Sequence, residues 1–480
     1  MSSQLTDDRQ SSSRFVPCSQ LADVAGAARP KGVAGAISPW IPLLEKLFCA
    51  FDGVLEVRFP DRSSALFGSG DRAVRPPLFT LCLRDLDVVR TLLLGPDRLR
   101  FAEAYFCGEL DIEGDLFAAL SLKDHLHDLR LPLLDRLKMA WRMLGAKLNL
   151  VAKPADRLQL PIHANTVTSH SRAKNREAAS FHDDISNDFY DLWLDDGMVY
   201  SCAYFKDPDF SLEQAQTAKL DHICRKLQFK PGQRFLDIGC GWGALILHAA
   251  QHYGVYAHGI TLSKRQFELA RARIKAAGLK RMVTVAHQDY RDLDRSRHYD
   301  KIASVGMFEH VGLQNLPQYF EVVRQLLKPD GHFLNHGITH DKEGWRDTIS
   351  SRFINHHVFP DGELDTVSNV QQVMERSRFE IIDVEGLRPH YAKTLRHWVH
   401  RLEQNHGRAL EFVNEATFRV WRLYMAASVL GFESGDLGVY QILAGPRGTD
   451  NRGFPMTRHY MYPAQDAQTA LTPQATLKLA

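Results

Sequence analysis

From about residue 181 the sequence predicts an α/β fold, a Rossmann-like doubly wound parallel sheet, with a smaller α/β domain ahead of it. Three observations carry this. Short apolar runs of strand character alternate with longer helical patterns, the arrangement that builds parallel sheets covered on both faces. The first such run, Phe235-Leu236-Asp237-Ile238, leads into Gly239-Cys240-Gly241-Trp242-Gly243 and then into a helical pattern from Ala244. The chain of 480 residues, 44% hydrophobic and 24% charged, has ordinary globular proportions and length enough for several domains and a substantial core.

The elements follow in order. Residues 1–30 are rich in Ser, Gln and Ala and are expected to form a disordered tail. Residues 31–125 are the smaller α/β domain. There Val54 to Phe59 reads as a strand, Pro60 to Ser63 as a turn, Leu78 to Leu83 as a strand, and Asp85 to Leu94 as a helix stopped by Gly95-Pro96. Residues 126–180 are a helical linker. In it Leu133, Leu134, Leu137, Trp141, Leu144 and Leu148 recur at helical spacing among Arg130, Arg136, Lys138, Arg142 and Lys147. Such a helix packs its apolar side on protein or lies on a lipid surface, and the residues leave both open. Within residues 181–460, Val255 to Ile260 is the second strand and Ser263 to Ala277 a helix closed by Gly278. Val283 to Ala286, Lys301 to Val305 and His332 to Leu334 are further strands. Residues 461–480 are expected to be a flexible tail.

Composition narrows the function classes. A formal net charge of +2 argues against a nucleic-acid partner. The seven cysteines have neither C-x-x-C nor zinc-finger spacing, so no metal site is expected, and their scatter suits a reducing compartment. The polar N-terminus lacks a signal-peptide core and no stretch is long and apolar enough to span a bilayer. These features predict a cytoplasmic protein that meets a membrane only peripherally, at its inner face.

The glycine loop is the strongest chemical signal. Glycine lets backbone approach a ligand with no side chain between, and the loop ends the first strand, where open α/β sheets bind ligands. Its spacing is G-x-G-x-G, not the G-x-G-x-x-G of dinucleotide sites, and no acidic residue ends the second strand. That form is typical of S-adenosylmethionine (SAM) methyltransferases. Thr261-Leu262-Ser263-Lys264-Arg265-Gln266 could supply a hydroxyl and an amide to such a cofactor, and Asp289-Tyr290 could read its adenine amine. Taken singly, each is also a helix cap or a surface turn.

With SNDFYDLWLD, MVYSCAYF, FLDIGCGWG, GITLSKRQ, QDYRDL, SVGMFEHVG, RPHYAKTLRHW and GFESGDLGVYQILA in this order, residues 180–445 resemble the cyclopropane-fatty-acyl-phospholipid synthase family. FAEAYFCGELDIEGDL is similar to the N-terminal domain of its longer members. The resemblance implies a class I SAM-methyltransferase fold and a homodimer acting on unsaturated phospholipid acyl chains. It implies SAM contacts from Tyr200, Ser201, Asp237, Gly239, Gly241, Gly243, Thr261, Leu262, Gln266, Asp289 and Tyr290. It further implies a bicarbonate held at Cys202, Glu309, His336, Ile338 and Tyr391. Two positions depart from the family pattern. His182-Asp183-Asp184 replaces the usual His-Tyr-Asp near the acyl channel, and Ser428 stands where several relatives have cysteine.

The implied chemistry accounts for such a set. A cis alkene is a weak nucleophile, so it needs a sulfonium electrophile, a dry pocket and a small base that takes a proton from the new methyl group. Glu309, His336 and Tyr391 would hold the bicarbonate base through side chains, and the amides of Cys202 and Ile338 would donate to it. Phe308, Tyr204 and Tyr391 would face the positive charge. Cys202 is then a small residue beside the anion rather than a nucleophile, since no activating feature accompanies its thiol. Other readings are a methyl- or methylene-branching enzyme, a heteroatom methyltransferase, and a non-enzymatic SAM-fold scaffold that binds lipid.

Overall fold

The structure is a computed structural model that describes residues 41–84, 88, 98–126, 185–345, 354, 358, 362–448 and 454–462. Both predicted tails (apart from Met461 and Tyr462), nearly all of the linker with its amphipathic helix, all but Val88 of the helix at Asp85 to Leu94, and His182-Asp183-Asp184 lie outside the described residues. The chain divides into two compact units, Met1–Leu158 and Gln159–Ala480.

The first unit carries a four-stranded sheet of order β2-β1-β3-β4, with β1 (Leu55–Arg58), β2 (Ser64–Phe67), β3 (Phe79–Leu83) and β4 (Leu110–Gly114). β1 and β3 are parallel, and β2 and β4 run antiparallel to their neighbours. Helices α1 (Ile41–Phe48), α2 (Arg98–Phe106) and α3 (Leu116–Leu126) accompany the sheet. Leucines and phenylalanines fill its core, with Phe48 against Phe67 and Phe51 against Phe79 at ring separations of 5.8 and 5.5 Å. Such pairs add to the burial of their large apolar area.

The second unit is built on a seven-stranded sheet of order β10-β11-β9-β8-β5-β6-β7. Its strands are β5 (Arg234–Ile238), β6 (Tyr256–Thr261), β7 (Val283–His287), β8 (Tyr299–Val305), β9 (Leu327–His340), β10 (Phe379–Gly386) and β11 (Leu437–Pro446). β9, β8, β5, β6 and β7 are mutually parallel. β11 runs antiparallel to both β9 and β10, so the sheet is parallel over most of its width rather than throughout. Successive residues feed opposite faces, as a pleat requires. Leu236, Ile302, Phe333 and Ile442 join one core, and Phe235, Ala303, Leu334 and Leu443 the other.

Helices α4 (Asn187–Asp191) and α5 (Leu212–Lys226) precede β5, and α6 (Ala244–Tyr253), α7 (Lys264–Ala276), α8 (Leu316–Leu326) and α9 (Val367–Arg376) connect successive strands. Their ends follow local chemistry. Ser211 and Gln214 form a reciprocal capping box at the start of α5, Ser263 caps α7, and Gly254 ends α6 in the left-handed region. Two long helices, α10 (Arg388–Gln404) and α11 (Glu415–Ser434), are inserted between β10 and β11. β9 is far longer than the expected His332 to Leu334 because it pairs with β8 on one side and β11 on the other.

Candidate functional site

A cavity of about 350 Å³ opens where β5 has β6 on one side and β8 on the other. This is the switch point at which doubly wound sheets bind ligands. Every residue named above for the cofactor and the anion lines it except Gly243.

The glycine loop forms one wall. The backbone N–H groups of Gly239 and Cys240 donate to Ile260 O at 3.0 and 2.9 Å, which folds the loop back over β6. Gly239 and Gly241 have φ of +80° and +54°, a region that costs a residue with a Cβ. A Cβ at Gly241 would meet nothing within 4 Å and would point into open space. Trp242 Nε1 donates to Asn187 Oδ1 at 2.8 Å, tying the loop to α4. Gly243 is the exception to the expected contacts. It caps α6, and a Cβ there would press on Ala270 of α7 at 3.2 Å, so its smallness serves helix packing.

The next two strand ends complete this side. Thr261 Oγ1 donates to Gln266 Oε1 at 2.7 Å and accepts from Ser263 N at 3.1 Å, with Leu262 between them at the cavity. Asp289 is buried and accepts from the guanidinium of Arg291 with both oxygens, at 2.9 and 2.6 Å. The carboxylate expected to read an amine is thus already paired, while Tyr290 stands beside it in the wall. Asp237 lies buried at the end of β5 with Oδ1 unpartnered among the described residues, and burial pushes its carboxyl up to about 7.

The opposite wall comes from the antiparallel side, the half of the sheet beyond β5 in which β8 and β9 are followed by the antiparallel strand β11. Glu309 follows β8; its Oε1 accepts from Ile338 N at 2.7 Å, and its Oε2 is buried with no partner among the described residues. This corrects one expectation, since the Ile338 amide is spent on Glu309 and is not open to an anion. Desolvation pushes the Glu309 carboxyl up to about 7, so near neutrality it can carry a proton and donate it. His336, on β9, has Nδ1 at 3.3 Å from Gln441 Nε2 of β11 and a buried, unpartnered Nε2. Burial holds its ring well below the usual histidine range and hence neutral. With Nδ1 accepting from Gln441, the ring proton sits on Nε2 as a donor.

Tyr391 enters from α10, and burial holds its phenol well above the usual range. Cys202 is buried, its Sγ donating to Ala203 O at 3.2 Å, and burial raises its thiol far from thiolate formation. The aromatic surface differs from expectation. Tyr204 is stacked between His222 and His390, and Phe308 is buried in the core, so neither lines the cavity. Tyr391 lines it as expected, together with Tyr200, Tyr424 and Phe432.

Three positions that shape the cavity escaped the sequence reading. Gly337 lets β9 pass against the Glu309 turn, since a Cβ there would lie 2.0 Å from the Phe308 ring. Its signal was a glycine inside a strand, which marks close approach. Gln441 orients His336 across a strand pair that was not expected, and Lys219 lies in the cavity wall from α5.

Residues 170–442 match the family described as mycolic acid cyclopropane synthetase. A probable fatty acid methyltransferase from Pseudomonas putida is 39% identical over 80% of this chain and 92% of its own. The cyclopropane-fatty-acyl-phospholipid synthase of Escherichia coli strain K12 is 41% identical over 56% of this chain and 68% of its own. The crystal structure of mycolic acid cyclopropane synthase CmaA1 complexed with SAH and CTAB is 32% identical, covers 56% of this chain and 97% of that one, and superposes with a TM-score of 0.53.

Proposed function

The chain belongs to the mycolic acid cyclopropane synthetase family of SAM-dependent lipid-modifying methyltransferases, and on that premise we propose that it adds a methylene from SAM across the cis double bond of an unsaturated phospholipid acyl chain. The residues fit SAM. The glycine loop presents bare backbone at Gly239 and Gly241, and Asp237 offers an orphaned, buried carboxyl oxygen for an ammonium. SAM supplies an electrophilic methyl group when bound.

The observation that carries the reading is a pair of buried orphan atoms, Glu309 Oε2 and His336 Nε2, on residues that line the cofactor cavity. A neutral imidazole N–H and a carboxyl poised near 7 suit a small oxyanion, and bicarbonate there would supply a base. Methyl transfer to nitrogen or oxygen would have no need of a bound bicarbonate. In the proposed reaction the alkene π electrons would form the new bond to the methyl carbon as its bond to sulfur breaks, so that S-adenosylhomocysteine leaves and a cation remains on the acyl chain. Loss of a proton from the new methyl group closes the ring. Tyr200, Tyr391, Tyr424 and Phe432 would face that cation and exclude water that could trap it.

A second reading, a methyl- or methylene-branched product from the same cation, is favoured by the Pseudomonas relative, which spans more of this chain than the Escherichia synthase does. The proposed substrate sits in a bilayer, and among the described residues no helix is long and apolar enough to cross a membrane. Peripheral membrane contact, as a homodimer, belongs to the same proposal.

SAM bearing a trideuterated methyl group separates the reactions on vesicles of unsaturated phospholipid. Cyclopropanation discards one methyl hydrogen, so the lipid keeps two labels and shows high-field ring protons by NMR. Three labels would overturn the proposed ring closure, and two labels without ring protons would favour a methylene branch.

A further inference from the structure

Lys219 is a buried cation that the family reading leaves without a task. It lies on α5, is 2% exposed, and reaches the cavity wall. Its ammonium donates to Ser201 Oγ at 2.9 Å. Among the described residues no carboxylate lies within ion-pair distance of it. Asp195, which its charge also senses, is already occupied by the backbone N–H groups of Gly197 and Val199 at 2.9 and 2.8 Å. An ammonium kept from water without a counter-ion is costly, so such a group calls for an anion.

The surroundings are built to hold this group in place. Gln216 lies one helical turn before Lys219 on the same face of α5. Its Nε2 donates to Val199 O at 3.2 Å and to Ser201 O at 2.9 Å. The helix thus pins the Val199–Ser201 segment twice by its carbonyls and once by the Ser201 hydroxyl. Because Lys219 donates to that hydroxyl, the hydroxyl proton is free to donate onward. Asp237, whose Oδ1 is unpartnered, shares the cavity with Lys219 and Ser201. One acid and one base in one wall form a template for a zwitterion.

Resting on the SAM reading above, we propose that Lys219 binds the α-carboxylate of the cofactor's amino-acid end, with the Ser201 hydroxyl as a second donor, while Asp237 takes the α-ammonium. SAM has a single anionic group, its carboxylate, so it offers one match for a buried lysine. Burial, partly offset by the nearby Asp195 and Asp237 carboxyls, lowers the Lys219 ammonium to about 8, which leaves it charged at neutral pH and able to pair. This assigns the residue to cofactor binding, apart from the Glu309 and His336 side of the cavity.

Calorimetry with two ligands tests the assignment without turnover. S-adenosylhomocysteine carries the amino-acid end, and 5′-methylthioadenosine lacks it but keeps the nucleoside. Lys219→Met should weaken S-adenosylhomocysteine roughly ten- to a hundredfold, the scale of one lost charge-assisted hydrogen bond, and leave 5′-methylthioadenosine within about twofold. Lys219→Arg, which keeps the charge, should retain most of the affinity. If both ligands weaken equally, Lys219 merely supports the fold of the site; if neither weakens, it does not touch the carboxylate; either result overturns the proposal. Should Lys219→Met fail to fold, Lys219→Gln, which can still bond Ser201 but carries no charge, gives the same contrast. Wild-type protein that binds neither ligand would overturn the cofactor reading itself, and this proposal with it.

Discussion

The two walls of the cavity are made in different ways. On the parallel side, contiguous stretches at the ends of β5, β6 and β7 supply backbone, hydroxyls and paired carboxylates. On the antiparallel side, single residues from the turn after β8, from β9, β11, α10 and α11 converge. The first wall is built largely of loops whose polar groups satisfy one another, as in the Thr261–Gln266 and Asp289–Arg291 pairs. Asp237 Oδ1 is left buried and unpartnered in the first, and Glu309 Oε2 and His336 Nε2 in the second, among the described residues. Unmet polar groups in an apolar surround are costly, and each suits a ligand group: the proposed cofactor at Asp237, the proposed anion at Glu309 and His336. The comparison supports the proposed division of labour, in which one wall binds the cofactor and the other holds the acid–base set.

If that division is real, substitutions on the two walls break different steps. The largest effect is expected from Gly239→Val. Its φ of +80° disfavours a branched side chain, and the new Cβ would sit 3.0 Å from Met307. Affinity for S-adenosylhomocysteine should fall by roughly a hundredfold or more by calorimetry, the scale of losing several hydrogen bonds at once. Unchanged affinity in folded protein would remove the loop from the cofactor site. Glu309→Ala comes next and should show the opposite split. Turnover should drop about a hundredfold, the usual scale for positioned acid–base help, with S-adenosylhomocysteine affinity within about twofold of wild type. A parallel loss of both would erase the distinction between the walls.

Gly337→Ala sharpens the comparison from the packing side. The added methyl would overlap the Phe308 ring and come within 2.9 Å of Glu309 Oε1. A loss of about 1–3 kcal/mol in denaturant unfolding is expected from overpacking, together with reduced turnover as Glu309 is displaced. Wild-type stability and turnover would show that β9 can yield there.

A pH effect on stability is predicted for Glu309→Gln. The folded protein ionises Glu309 at about 7, against 4.5 for the ordinary group. Between those values the folded state holds a proton that the unfolded chain releases. The stability tied to this group is therefore complete below about 4.5 and declines as pH rises to about 7. Glutamine keeps the acceptor for Ile338 N and has nothing to ionise. The variant should match wild type near pH 4 and exceed it by up to about 3 kcal/mol near pH 8. A constant difference across that range would mean the carboxyl is not held neutral by burial.

Legibility in the sequence followed the same divide. Phe235 to Ile238, Ala244 to Tyr253 and Ser263 to Ala277 matched their elements to within a residue or so, because strand, loop and cap lie side by side in the chain. The cofactor wall was visible for the same reason. β10 and β11 were not foreseen: β11, LGVYQILAGP, is broken by two glycines and its alternation is lost where both faces are buried. Without that strand pair, Gln441 could not be set opposite His336, nor Gly337 against Phe308. Glu309, His336 and Tyr391 were named through family resemblance, since their spacing of tens of residues carries no local pattern. Lys219 looked like one more charge on an amphipathic helix, and only its burial at the cavity distinguishes it.

The claim that the antiparallel wall holds a bicarbonate base is tested most directly by removing dissolved carbonate. Wild-type turnover on unsaturated phospholipid vesicles should fall severalfold in carbonate-stripped buffer and return when bicarbonate is added back, while S-adenosylhomocysteine affinity stays constant throughout. Glu309→Ala should show no such response. Wild-type turnover that is indifferent to carbonate would contradict the account and leave Glu309 and His336 to act without an anion between them.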